Sequence, residues 1–299
     1  MLDLSRLRAL HAVHVHGSVG SAAKALGYTP SAVSQQVAKL ERETGTTLLE
    51  RRGRGVVLTD AADMLVDTAT RVLSLVEEAE VALEERRGRP SGRLTVAAFS
   101  TAARGLLPGV LAELVATHPA LDLRLFEEDP HATPHMVAQG TVDLAVVHDW
   151  DIAPMTVPEG VSRELVGEDR CDVLLPRDHP LTAKAVLHRE DVADARWICQ
   201  PPGTVCHDWL TRTLRSVGTE PHFAHHVAEY QTQIALVEVG LGIAMVPRLG
   251  RGPVPDTVVV KALEPAPVRG VSVLWRTGTS RRPAVAETVR ILREHARDL

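Results

Sequence analysis

Val19-Gly20-Ser21-Ala22-Ala23-Lys24-Ala25-Leu26-Gly27-Tyr28-Thr29-Pro30-Ser31-Ala32-Val33-Ser34-Gln35-Gln36-Val37-Ala38-Lys39-Leu40 decides how the N-terminal part of this chain folds. Val19, Ala22, Ala23 and Leu26 recur at i, i+3, i+4 and i+7, the apolar stripe of a short amphipathic helix. Ser18 is placed to cap that helix and Gly27 to stop it. Thr29 caps a second helix, with Pro30 at the first helical position, where a missing N–H costs nothing. Val33, Val37 and Leu40 then point inward, leaving Ser31, Ala32, Ser34, Gln35 and Ala38 outside. A solvent-facing helix usually carries Glu and Lys at such positions. Small residues and amides, with Lys39 beyond them, suit a helix that enters a major groove and hydrogen-bonds base edges. Taken alone, the segment also fits an ordinary αα-hairpin in a bundle.

Arg51-Arg52-Gly53-Arg54-Gly55-Val56-Val57-Leu58 follows and reads as a β-hairpin with a basic tip, able to neutralise phosphates or enter a minor groove. Up to Leu58 the chain has eight Lys/Arg (Arg6, Arg8, Lys24, Lys39, Arg42, Arg51, Arg52, Arg54) against four acids (Asp3, Glu41, Glu43, Glu50), although the whole chain stands at −5. That asymmetry is expected when one module of an acidic protein meets nucleic acid.

From Thr59 to Arg87 the apolar residues Ala62, Leu65, Ala69, Val72, Val76, Ala79 and Leu83 alternate spacings of three and four, a heptad seam. The seam predicts a long dimerisation helix; a helix packed on its own domain is the alternative. Gly88-Arg89-Pro90-Ser91-Gly92 breaks it. Beyond lies βα alternation: strands near 94–99, 121–126, 142–147, 197–200, 222–227, 243–246, 258–260 and 270–275, an extended crossing over 165–175, and helices between them, the last at 283–297. Such alternation predicts parallel-rich sheets, and this length predicts two lobes around a cleft.

No run of eighteen apolar residues predicts a membrane span, and the N-terminus has no signal-like apolar region. Three cysteines make no disulfide framework, so a cytoplasmic protein is expected. No Gly-x-Ser-x-Gly elbow, phosphate loop or catalytic triad stands out, so no enzyme is expected. His131 and His135 are spaced i, i+4, but Pro130 and Pro134 disturb any helix there, and His225 and His226 point to opposite faces of a strand; neither metal nor cofactor is expected.

In this order the parts resemble the LysR-type transcriptional regulators of bacteria. The likeness is carried by Leu7-Arg8-Ala9-Leu10, Gly17-Ser18-Val19, Ser21-Ala22-Ala23, Ser31-Ala32-Val33-Ser34-Gln35-Gln36-Val37, Leu40-Glu41, Gly45 to Arg51 and Val57-Leu58-Thr59. Gly140-Thr141-Val142-Asp143-Leu144-Ala145 and Val239-Gly240-Leu241-Gly242-Ile243-Ala244-Met245-Val246-Pro247 carry it further on. The resemblance implies an α/β chain with an N-terminal winged helix-turn-helix (1–58), a long linker helix (59–88) and a two-lobed effector domain like a periplasmic binding protein (93–299). Lobe I is expected at 93–163 with 268–299, and lobe II at 164–267. It also implies a homodimer or homotetramer on promoter DNA, a small-molecule effector, and RNA polymerase as a further partner. The DNA contacts implied are Ser31, Ala32, Ser34, Gln35, Lys39, Arg51, Arg52 and Arg54. Where the family often has Arg after the serine matching Ser34, this chain has Gln35, an amide suited to adenine.

For the effector the resemblance implies a site between the lobes: Ser100 and Thr101 after the first strand, His148 at a strand end, Pro201, Gly203 and Thr204 in a facing loop, and Tyr230 and Gln231 opening a helix. Helix N-termini there favour an anion such as a carboxylate. Aromatic residues are only 3% of the chain, which argues against a cavity for large flat ligands. The alternatives are a solute-binding or enzymatic module with a DNA-binding head, or a thiol-based redox sensor. For the latter, Cys206 stands at a helix start, where the dipole lowers a thiol pKa, with Cys199 seven residues earlier. The family's peroxide-sensing branch has its partner cysteine downstream of the reactive one, and no cysteine follows Cys206.

Overall fold

Asp3, Ser18 and Thr29 each accept a backbone N–H at the start of a helix: α1 (Leu4–His16), α2 (Val19–Leu26) and α3 (Pro30–Thr44). Gly27, at φ 69°, turns the chain between α2 and α3 in a left-handed conformation that a Cβ would strain. The structure is a computed structural model describing residues 2–53, 55–152 and 154–299, and its chain divides into two units, Met1–Arg87 and Gly88–Leu299.

In the first unit Leu10, Val13, Ala22, Val33, Val37, Leu40 and Leu48 form one core. An Arg6–Glu43 ion pair ties α1 to α3. Glu41 Oε1 accepts from Leu48 N at 2.8 Å and Leu49 N at 3.1 Å, fixing where the hairpin of β1 (Leu49–Arg52) and β2 (Gly55–Leu58) leaves the core. The long helix α4 (Asp60–Arg87) follows. Its seam divides in use. Ala62, Leu65 and Ala69 pack into the core of their own unit, whereas Val72 and Val76 are half-buried and Ala79 and Leu83 exposed. Heptad spacing alone did not separate these two roles, because α1 offers the first turns of α4 an apolar surface within the same unit.

The second unit runs β3 (Gly92–Ala98), α5 (Ser100–Gly105), α6 (Leu107–Thr117), β4 (Leu121–Glu127), α7 (Thr133–Ala138), β5 (Leu144–Trp150), β6 (Val161–Pro176), β7 (Leu187–His188), β8 (Arg196–Cys199), α8 (Val205–Arg215), β9 (His222–His226), α9 (Tyr230–Glu238), β10 (Ile243–Pro247), β11 (Val258–Lys261), β12 (Leu263–Glu264), β13 (Val268–Arg276) and α10 (Pro283–His295). Strand order is β4-β3-β5-β13-β6-β10-β8-β9, with β11 also on β6. The 16-residue β6 belongs to both lobes: residues 161–170 pair with β13, and residues 171–176 with β10 and β11. Leu94, Val146, Val271 and Leu292 mark the first lobe's core, and Trp197, Trp209, Leu210 and Ile243 the second's.

Two local expectations are corrected. The helix expected near Arg189–Val192 is a single 3-10 turn, and β7 pairs with β12 in a two-residue ladder too short to show any period. The helical stretch after β3 breaks between α5 and α6 at Leu106, just after Gly105, whose Cβ position would lie 2.5 Å from Gly250 N. Backbone from the second lobe passes there, so only glycine fits.

Candidate functional sites: an exposed reading helix and a buried thiol cluster

On α3 the inward residues Val33, Val37 and Leu40 are at most 2% exposed, so the opposite face is held rigidly against its own core. Ser31, Ser34, Gln35 and Lys39 are exposed on that face and Ala32 is half-buried; Arg51 and Arg52 are exposed on the hairpin. Among the described residues the side chains of Ser34, Gln35, Lys39, Arg51 and Arg52 make no hydrogen bond or ion pair, whereas Ser31 Oγ lies 3.0 Å from Thr29 Oγ1. Arg54 lies outside the described residues. A row of unspent donors and acceptors on a rigid helix, beside unpaired arginines, is what base edges and phosphates require.

In the second unit strand register builds a different site. Arg269 on β13 stands opposite Trp150 on β5 and Asp169 on β6. Strand alternation therefore places His148, Trp150, Arg269, Asp169 and Cys171 on one face. Arg269 and Asp169 are buried, 1% and 2% exposed, and joined by Arg269 Nε to Asp169 Oδ2 at 2.9 Å. Arg269 Nη2 donates to Thr101 Oγ1 at 2.6 Å, and the guanidinium lies 4.8 Å from the Phe99 ring. Asp169 Oδ1 accepts from Leu249 N at 2.9 Å. Burial works against the guanidinium charge, but Asp169 overcomes it and the Arg269 pKa lies above its ordinary value.

Cys206, the second residue of α8, meets this cluster. Tyr230 Oη donates to its Sγ at 3.4 Å, His148 Nε2 lies 4.0 Å away, and the positive charge of Arg269 favours its thiolate. The expectation of a dipole-lowered thiol is corrected: burial pushes the Cys206 pKa up, against the pull of Arg269 and Tyr230. Burial also pushes Cys171 up, and Cys199 to about 12. His148 is shifted well below the usual imidazole range, by burial first and then by Arg269 and His131. Its ring is therefore neutral at pH 7, and Nδ1 is buried with no hydrogen-bond partner among the described residues.

That shift has a consequence for stability. Below about pH 6.5 an unfolded His148 takes up a proton that the folded one refuses. Stability therefore falls as pH drops through that value, by up to about 1.4 kcal/mol per pH unit for this group. Thermal unfolding between pH 7.5 and 5.5 checks this; His148→Asn should flatten the dependence, since its amide carries no titratable charge.

Thr101, His148 and Tyr230 thus converge on Arg269 and Cys206, and the other expected effector residues do not. Ser100 opens α5 half-buried, Thr204 caps α8 by accepting from His207 N, Pro201 is half-buried, and Gly203 is exposed in the intervening loop. Gln231 donates to Arg251 O. Thr101 was expected to be free for an anion; instead it is fully buried with its hydroxyl accepting from Arg269. Phe99, Asp169 and Arg269 were missed. The one sequence signal for Asp169 and Arg269 is a charge in or beside a strand: Arg269 before an apolar run, and Asp169 two residues before Cys171.

Two cavities flank the cluster. One, about 20 Å³, is lined by Trp150, Cys171, Cys199, Cys206, Trp209 and Tyr230 among others. The other, about 310 Å³, lies between α7 and α8 and includes His131, His135, His148, Asp149, Asp208 and Arg212.

An exposed helix-turn-helix and a second unit whose two lobes share one strand around a buried polar cluster are the parts of a DNA-binding regulator. Residues 4–63 match the model of the bacterial regulatory helix-turn-helix protein, lysR family, and residues 87–297 that of the LysR substrate binding domain. The chain belongs to the LysR family of transcriptional regulators, which are not enzymes. It is 30% identical to a probable hydrogen peroxide-inducible genes activator of Streptomyces viridosporus, covering 99% of this chain and 95% of that one. It is 27% identical to a probable RuBisCO transcriptional regulator of Cyanophora paradoxa, over 82% of this chain and 76% of the other. In fold it is similar to a full-length OxyR variant from Pseudomonas aeruginosa, with a TM-score of 0.73 at 23% identity, covering 99% of this chain and 95% of that one. Among the described residues no helix is long and apolar enough to cross a membrane.

Proposed function

We propose that this chain is a peroxide-responsive regulator that binds promoter DNA through α3 and the hairpin, pairs through the free part of α4, and senses with Cys206. The observation that carries the reading is the setting of Cys206: a neutral imidazole at 4.0 Å, a phenol at 3.4 Å and the charge of a buried guanidinium that favours the thiolate, beside a cavity of about 20 Å³. One water needs roughly 10–15 Å³ of such space, so the cavity suits hydrogen peroxide and rejects a carboxylic acid. The name of the Streptomyces relative supports the same reading.

The chemistry follows from these neighbours. Cys206 passes its proton to His148 Nε2, and the sulfur attacks one peroxide oxygen. The O–O bond breaks, and the departing hydroxide takes the proton back from His148 as water. Cys206 is left as a sulfenic acid. The oxidised sulfur changes the polar surroundings of Arg269, which holds Thr101 of the first lobe and Asp169 of the shared strand. Oxidation therefore biases how the lobes are held, and a few kcal/mol of bias suffices to redistribute two states.

The test is a mobility shift of full-length protein on the DNA upstream of its own gene, with and without hydrogen peroxide. The wild type should change its affinity or footprint on oxidation, and Cys206→Ser should bind without responding. An equal response from Cys206→Ser contradicts the proposal.

A second reading, an anionic effector between the lobes, is favoured by the cleft of about 310 Å³. Pockets for small organic ligands begin near 300 Å³, and His131, His135 and Arg212 supply donors there, with Asp149 and Asp208 beside them. Binding of small carboxylates to Cys206→Ser, lost in Arg212→Ala, separates this reading from the first.

A further inference from the structure

We propose that the second lobe binds a soft monovalent metal ion, Cu(I), between Cys206 on α8 and the sulfur-bearing side chains of the sheet beneath it. All three cysteines of the chain line one cavity of about 20 Å³, together with the thioether of Met245. The cysteines come from three elements, β6 (Cys171), β8 (Cys199) and α8 (Cys206), and Met245 comes from a fourth, β10. Strand register accounts for the meeting. β10 lies between β6 and β8, with Pro247 opposite Cys171 and Met245 opposite Val173. Its parallel pairing with β8, Ile243 on Trp197 and Ala244 on Ile198, carries Met245 level with Cys199 at the strand end. Neighbouring strands lie about 4.8 Å apart and residues two apart share a face. Cys171, Met245 and Cys199 therefore occupy adjoining places on the face that α8 covers, in the same apolar cluster as Cys206.

The donor set selects the ion. Thiolate and thioether sulfur favour soft ions, and no carboxylate lines the cavity for a hard one. Among the described residues no three His, Cys, Asp or Glu side chains form a set able to hold a metal, so a tetrahedral zinc site lacks its ligands. Cu(I) needs only two sulfurs, and one of them can be a thioether. Charge points the same way. Arg269 and Asp169 already neutralise each other, so a buried ion has to be neutralised by its own ligands. One thiolate, Cys206 having exchanged its proton for the ion, cancels a single positive charge and leaves a divalent ion unbalanced. Trp150 and Trp209, stacked at 4.2 Å, add π-rich walls that favour a cation and shield it from water.

The site stands apart from the peroxide reading, because the sulfurs act as ligands and none is oxidised. The cavity has roughly the room of a single water, enough for a bare ion and too little for a ligated complex.

Full-length reduced protein, handled under argon, is titrated with Cu(I) against the chromogenic chelator bicinchoninate, and its copper is examined by X-ray absorption. One Cu(I) per chain should be withheld from the chelator by at least two sulfur donors. Zn(II), offered with a zinc indicator instead, should not be retained. Cys206→Ala should release the copper, and so should Cys171→Ala/Cys199→Ala/Met245→Leu, which keeps Cys206. Circular dichroism checks that each variant folds; Cys206→Ser replaces the alanine variant if that unfolds. If the triple variant unfolds, the sulfur count in the wild type decides, and a count of one or none overturns the proposal. Copper bound through nitrogen or oxygen alone belongs to groups such as the chain's 14 histidines and also overturns it. Undiminished retention in either folded variant does the same. Zn(II) held as firmly as Cu(I) overturns the choice of a soft monovalent ion.

Discussion

Asp169→Ala is expected to destabilise the 88–299 unit by about 3–5 kcal/mol, because it strands a guanidinium that is 1% exposed. For a unit of this size that is a fall of roughly 6–20 °C in the midpoint of its unfolding. Arg269 would keep only the Thr101 hydroxyl and the Phe99 ring, neither of which carries charge. Leu249 N would lose its acceptor as well. The double variant Asp169→Ala/Arg269→Met should recover much of the loss, since replacing both members of a buried pair by apolar groups is often neutral. Calorimetry on the full-length single and double variants measures the difference. Equal destabilisation in both would mean that the pair is not the origin of the effect.

Gln35→Ala should weaken binding to the cognate site by about 1–3 kcal/mol, roughly 5–150-fold, with an unchanged unfolding midpoint. The structural half of this expectation follows from geometry: Gln35 is exposed and its side chain spends no hydrogen bond on its own chain among the described residues. The functional half follows from its place on the face opposite Val33, Val37 and Leu40. Arg51→Ala differs in kind, since a phosphate contact weakens all sequences alike and lowers the salt slope by about 1. Titrations of both variants on cognate and scrambled duplexes, at two salt concentrations, separate the two roles.

The helix-turn-helix was legible because its information is local. Two caps, the Gly27 stop and an apolar stripe on each helix lie within Ser18 to Leu40, and α2 begins and ends, and α3 begins, where those residues demand. The two-lobed architecture was legible from βα alternation, and the crossing strand β6 from its unbroken extended pattern. The cluster around Cys206 was legible only in pieces. His148, Tyr230 and Cys206 were singled out separately, but what joins them is Arg269, brought in by the antiparallel insertion of β13 between β5 and β6. No local pattern encodes that pairing, since Thr101 and Arg269 are 168 residues apart. The Cys206 thiol shows the same limit. A helix start argues for a lowered pKa, while the burial that reverses it comes from β5, α9 and β13, elements distant in sequence.

On the proposed reading, the neighbours of Cys206, His148 above all, make a half-buried thiol reactive toward peroxide. The most direct measurement is the rate at which full-length protein loses the Cys206 thiol to hydrogen peroxide at pH 7, followed by quenched alkylation and mass spectrometry. A positioned base contributes roughly 10²–10⁴-fold, so Cys206 should react that much faster than free cysteine, and His148→Asn should remove most of the gain. A Cys206 that reacts no faster than free cysteine, with or without His148, would contradict the account.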